Sequence, residues 1–146
     1  MASPASAARP GGSVTPGRGN ARTVKADRAV RDGRLAKARQ FLHVADDARA
    51  LADGDGVGDA AVTLYVHAGI AAADAICAAA LGEHAHGQDH QSAVALLATV
   101  DKQAATQLST LLGMKTRAGY GHDPIGPAAL ARAERAARAL VDRASA

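Results

Sequence analysis

Residues 58–81, GDAAVTLYVHAGIAAADAICAAAL, are apolar on almost every side of a helix and are closed by Gly82, a typical C-cap residue. A helix without a polar face has to be surrounded by others, so this segment predicts an all-α bundle with 58–81 at its centre. Its polar interruptions, Thr63, His67 and Asp74, are spaced four and seven apart and fall within about 40° of one another on one stripe. They break the run too often for a convincing membrane span. They read as a half-exposed face, as a buried His–Asp hydrogen bond, or as the lining of a polar cleft.

Composition supports a helical reading. The 48% apolar fraction comes from Ala, Leu and Val, with one Phe, two Tyr and no Trp, so strand-forming aromatic and β-branched runs are scarce and a sheet is not expected. Residues 1–21, nearly all Ala, Ser, Pro and Gly, cannot build a core and read as a disordered tail ahead of a bundle over 22–146. The lone cysteine, Cys77, sits in an apolar run, which suits a buried thiol in a reducing compartment, and a cytoplasmic protein without a membrane segment is expected.

The remaining helices follow from turn and cap signals. A first helix is expected from an N-cap at Thr23, weakened by Gly33, with a core stripe of Phe41, Ala45, Ala48 and Leu51 or Ala52. DGDGVGD at 53–59 is a connector; its aspartates alternate with glycine as in a calcium loop, but Leu64 stands where an EF-hand needs a bidentate Glu. The loop 83–90 gathers His84, His86 and His90. Asp89 is placed to cap a third helix with His90 in its first turn, and no metal site is expected. Val94, Leu97, Val100, Ala104, Leu108, Leu111 and Leu112 mark an amphipathic stripe with a break near Asp101, ended by Gly119 and Gly121. Pro127 opens a last helix carrying Leu130, Ala133, Ala137, Leu140 and Val141 inward and Arg132, Arg135 and Arg138 outward.

Charge is concentrated at the start of the bundle. The net charge is +3, yet residues 22–39 carry seven cations, among them Arg28, Arg31 and Arg34, against Asp27 and Asp32. This basic arm is an electrostatic footprint compatible with nucleic acid and equally with a solvated surface. The cations from 22 to 37 recur every third position, about 60° short of a full turn, so they spiral round the helix and make no single flat face.

The segment LLGMKTRAGYGH, 111–122, places two cations, a tyrosine and a histidine where a well-packed helix ends. Lys115 continues the Leu108–Leu111–Leu112 stripe and points toward the bundle or a partner subunit, whereas Arg117 lies about 180° from Leu108 and points away. An inward cation must be paired, sit at a rim or face a polar cleft.

LYVHAGIAAADAICAAALG, then DHQSAVALL, then LLGMKTRAGYG together resemble the HEPN domain family, and the resemblance spans residues 38–142. It implies a four- to five-helix up-and-down bundle, RNA or nucleotide as ligand, no cofactor and a homodimer. Many members carry an Arg, four to six residues and then His; these are metal-independent endoribonucleases, often toxins paired with a nucleotidyltransferase-like antitoxin. Two registers fit here, Arg117 to His122 and Lys115 to His122, the second agreeing with the inward face. By resemblance, His122 would move a proton at a ribose 2′-OH, Lys115 or Arg117 would stabilise the phosphate, and Tyr120 would stack on a base, with His67 and Asp74 as supporting polar groups. Lys lacks the bidentate clamp of Arg, so a degenerate, non-catalytic nucleic-acid- or nucleotide-binding module is expected first. An active ribonuclease comes second, and a structural or DNA-binding dimer third.

Overall fold

The computed structural model describes residues 23–51, 56–87 and 89–146. The expected tail, Arg22 and residues 53–55 of the 53–59 connector lie outside the described residues. The order of elements is β1 (Thr23–Lys25), α1 (Arg28–Leu51), α2 (Gly58–Leu81), β2 (Glu83–Ala85), α3 (His90–Ala98), α4 (Lys102–Tyr120) and α5 (Pro127–Ser145). The chain is an all-α helical bundle with one small β-ribbon.

α2 occupies the centre, with Val62, Tyr65, Val66, Ala68 and Ala72 at 1% exposure or less, and it packs against α1, α4 and α5. It is long and apolar enough to cross a bilayer, but 61% of its most apolar window is buried in the bundle, as in any core helix. Contacts along its length set the directions of its neighbours. Arg34 meets Asp74 while Asp46 meets Tyr65, so α1 and α2 are antiparallel. Asp59, in the first turn of α2, accepts a hydrogen bond from the Ile125 amide just beyond the end of α4 (2.9 Å), so α4 also runs against α2. The pairs Arg39–Ser145 and Arg49–Glu134 set α5 antiparallel to α1.

Small residues set how closely these helices approach. A Cβ on Gly69 would lie 2.3 Å from Leu111 Cδ1 and 3.2 Å from Leu140 Cδ1, so the midpoint of α2 touches both α4 and α5 only because position 69 has no side chain. Gly82 ends α2 at φ 70°, its amide returning to the Ala78 carbonyl. Aspartates begin the next two helices: the Asp89 carboxylate accepts from the Ser92 amide at α3, and that of Asp101 from the Ala104 amide at α4, both at 3.0 Å. The break near Asp101, the stop at Gly121 and the start at Pro127 fall where the sequence predicts them, whereas Gly119, also expected to end α4, lies within its last turn.

The N-terminal side differs from expectation in three ways. Thr23 does not cap a helix. It opens β1, which pairs antiparallel with β2 in the register Thr23–Ala85, Val24–His84, Lys25–Glu83, and the Ala26 amide extends the ribbon to the Gly82 carbonyl at 2.9 Å. The cap is Asp27, whose Oδ1 accepts from the Val30 amide at 2.9 Å. A β-prone Thr-Val-Lys triplet with an opposite charge across from Lys25 outweighs the weaker capping offered by Thr. α1 then passes unbroken through Gly33, which faces open space. Its buried stripe is Ala38, Leu42 and Ala45, with Phe41 half-buried, whereas Leu51 is 85% exposed at the helix end.

Candidate ligand-binding cleft

Because α2 carries a stripe of Thr63, His67 and Asp74 on an otherwise apolar helix, the bundle cannot close over that stripe. α1, α4 and the β-ribbon stand around it and leave a cavity of about 670 Å³. Val66, Ile70 and Ala73 of α2 and Leu108 and Leu112 of α4 supply apolar lining, and Arg34, His84, His90, Lys115 and Tyr120 join the three stripe residues as polar lining. Thr63 and Asp74 are eleven residues apart, so the cleft follows α2 for about 16 Å.

At one end, Arg34 donates from Nε (3.0 Å) and Nη2 (2.9 Å) to the same oxygen, Asp74 Oδ2. Asp74 is only 14% exposed, and burial raises its carboxyl above the usual carboxylate range even though the charges of Arg34 and His84 pull it back. His84 Nδ1 is 3.9 Å from Asp74 Oδ1, too far for a hydrogen bond, and 2.8 Å from the Ala85 carbonyl, which it reaches by donating. Midway, His90 is half-buried in the first turn of α3. Burial, and then the charge of Lys115, hold its imidazole below the usual histidine value. His67 leans on the Phe41 ring, with centroids 5.7 Å apart. At the other end, Thr63 turns its hydroxyl to the Asp59 carbonyl (2.9 Å), and Tyr120, on the last turn of α4, lines the cleft while 85% exposed.

The residues singled out from the sequence therefore separate. Lys115, Tyr120, Arg34, His67 and Asp74 come together in one cleft. His122 does not join them: its side chain is 95% exposed on the turn after α4, 3.3 Å from Asp123 Oδ1. Arg117 is exposed on the opposite side of α4 from the buried stripe. The basic spiral also divides, with Arg28 exposed, Arg31 paired to its neighbour Asp32 at 2.9 Å, and Arg34 drawn into the cleft. Asp74 pairs with Arg34 and not with His67. Arg138, expected to face outward, instead reaches Asp46 at 2.7 Å.

Two cleft histidines, His84 and His90, were visible in the sequence only as part of a histidine-rich loop. Their convergence with Asp74 and Lys115 depends on the ribbon, which the scarcity of strand formers concealed. Among the described residues no three His, Cys, Asp or Glu side chains gather as a metal site. Cys77, on α2, is buried, and burial, with the charges of Asp74 and Glu83, pushes its thiol up to about 12.

A second polar cluster lies toward α5. Tyr65, with no exposed surface, donates its hydroxyl to Asp46 Oδ1 at 2.6 Å, Arg138 takes Oδ2 at 2.7 Å, and Glu134 binds both Arg49 and Arg138. Burial would raise Asp46, but the hydrogen bonds from Tyr65 and Arg138 and the charge of Arg49 outweigh it, and its carboxyl sits below the usual range. Each member has its partners, so this cluster fastens α1, α2 and α5.

No protein-family model matches the chain, and no curated protein does. The cleft's own chemistry is the basis for a functional reading. It sets three imidazoles, a guanidinium and an ammonium against one carboxylate, in a volume within the usual range for small-ligand sites.

Proposed function

We propose that the chain is a nucleic-acid- or nucleotide-binding helical module, with the ligand held in the cleft between α1, α2 and α4. The observation that carries this reading is the arrangement of Lys115 and Tyr120 on consecutive turns of α4, both lining the cavity. Lys115 supplies a cation for a phosphate, and the exposed Tyr120 ring offers a stacking face for a base at the mouth. The resemblance to HEPN domains points the same way, and by that resemblance the module would work in the cytoplasm as a homodimer.

The geometry gives less support to an active metal-independent ribonuclease, with or without a nucleotidyltransferase-like antitoxin. General acid–base catalysis needs the imidazole within reach of the proton it moves. His122 points to solvent while Lys115 lines the cleft, so one chain does not assemble the pair.

Titration of the protein with adenosine and guanosine monophosphates and with short single-stranded RNAs, followed by calorimetry, tests the binding reading. Binding weakened at least tenfold by Lys115→Ala and by Tyr120→Ala supports it. Absence of binding to every nucleotide and oligomer would refute it. RNA incubated in chelator with wild type and His122→Ala separates the catalytic alternative: a loss of cleavage in the variant would restore it.

A further inference from the structure

A cleft that offers Lys115 to a phosphate has no obvious use for a carboxylate in its wall. Asp74 is nevertheless there, 14% exposed, with its two oxygens unequally used. Both Arg34 nitrogens converge on Oδ2 at 2.9 and 3.0 Å. Among the described residues Oδ1 accepts no hydrogen bond, because the nearest donor, His84 Nδ1, stands 3.9 Å away and spends its proton on the Ala85 carbonyl. A carboxylate oxygen is an acceptor only, and leaving one unmatched in a nearly buried wall is costly. The position can therefore take a donor from outside the chain.

The placement limits what that donor can belong to. Asp74 lies about 16 Å along α2 from Thr63, at the end of the cleft remote from Tyr120, with His90 and Lys115 also lining the cavity. A ligand whose phosphate is held by Lys115 can present one flat ring to Tyr120 or the edge of a base to Asp74. A ligand with two bases can do both. Among the nucleobases only guanine offers two neighbouring donors on one edge, N1–H and the N2 amine, which can converge on the two lone pairs of the open Oδ1 as the Arg34 Nε and Nη2 converge on Oδ2. Adenine and cytosine set one donor beside an acceptor, and uracil flanks its single donor with two acceptors, so each of these brings an acceptor toward the carboxylate.

Building on the nucleotide-binding reading above, we propose that Asp74 is a specificity-determining residue that selects guanine by accepting from its N1–H and N2–H edge, with Arg34 holding the carboxylate in place. The raised affinity of Asp74 for protons, which its existing partners do not cancel, agrees with a carboxylate short of a donor.

Calorimetric titration of the full chain with GMP, IMP, AMP and UMP tests it, alongside four-residue RNAs with and without a single guanine. GMP should bind about tenfold or more tighter than AMP or UMP, with IMP, which lacks the N2 amine, in between. Asp74→Asn keeps an oxygen for Arg34 and should level the four affinities without removing binding; circular dichroism checks that it stays folded. Should it unfold, the wild-type ranking alone still decides. Equal affinity of the wild type for all four monophosphates, with Lys115→Ala weakening them together, overturns guanine selection and leaves the binding module standing. No binding of any probe overturns both. Preference confined to the guanine-bearing RNAs assigns the same edge recognition to a strand, and preference already complete with GMP assigns it to the free nucleotide.

Discussion

Asp46 and Asp74 are both aspartates on the long helices of the core, and both are held by arginine, yet their carboxyls shift in opposite directions. Asp46 receives the Tyr65 hydroxyl and Arg138, with Arg49 nearby, and is held below the usual range. Asp74 receives Arg34 on one oxygen, is more deeply buried, and is raised. The first cluster satisfies itself and acts as a fastener between α1, α2 and α5. The second leaves an acceptor facing a cavity. The difference shows how one bundle satisfies one carboxylate wholly from within and leaves an oxygen of another open to a cavity.

Removing the fastener should have the largest effect. Asp46→Ala leaves the Tyr65 hydroxyl buried without an acceptor and strips Arg138 of a partner, and should cost about 2 kcal/mol of stability in urea denaturation. Nucleotide affinity should be unchanged. Next, Lys115→Ala should weaken nucleotide binding by about 1.4 kcal/mol, tenfold, with the thermal midpoint unmoved. An equal loss of stability in that variant would mean that Lys115 is part of the core packing and would break the division.

A smaller effect is expected from pH. The depressed Asp46 adds stability above the ordinary carboxylate pKa, and that increment is lost as pH falls through its folded value. Asp74, raised, favours the folded state below the ordinary value and loses that increment as pH rises through its own. Asp74→Asn should therefore steepen the gain in stability as pH rises through the carboxylate range, from below the ordinary value, where Asp46 titrates, to above it, where Asp74 does. Tyr65, pushed up to about 12 by burial and by Asp46, gives an alkaline counterpart: its contribution is complete below pH 10 and is lost as pH rises toward 12. Smallest of all, His122→Ala should alter neither stability nor nucleotide affinity, since its ring is almost wholly in solvent. A loss of binding there would draw the site away from the cleft.

Much of the frame was legible in advance because local chemistry set it. Gly82, Asp89, Asp101, Gly121 and Pro127 each act within a turn of their own position, and each boundary falls where its residue type demands. The Thr63–His67–Asp74 stripe and the inward direction of Lys115 needed only the 3.6-residue period. What stayed hidden was non-local. Nothing near Thr23 announces that it will pair with Ala85, and nothing near Arg34 or Asp46 tells that they will meet Asp74 and Arg138. Tyr65 carried a readable hint, because a tyrosine inside an apolar helix must find an acceptor for its hydroxyl, though not which one. For His122, spacing along a chain does not say which way a turn will face.

The ribbon has a consequence for how the molecule assembles. Thr23 and Ala85 meet across some sixty residues, in strands of three residues each. Closing so long a loop brings little enthalpy in return, so the pairing follows the docking of α1 on α2 and does not lead it. The end of the cleft holding Arg34, Asp74 and His84 is thus completed late in folding. By the same reasoning it is the first part to open from the native state, while α2 and its apolar neighbours stay packed.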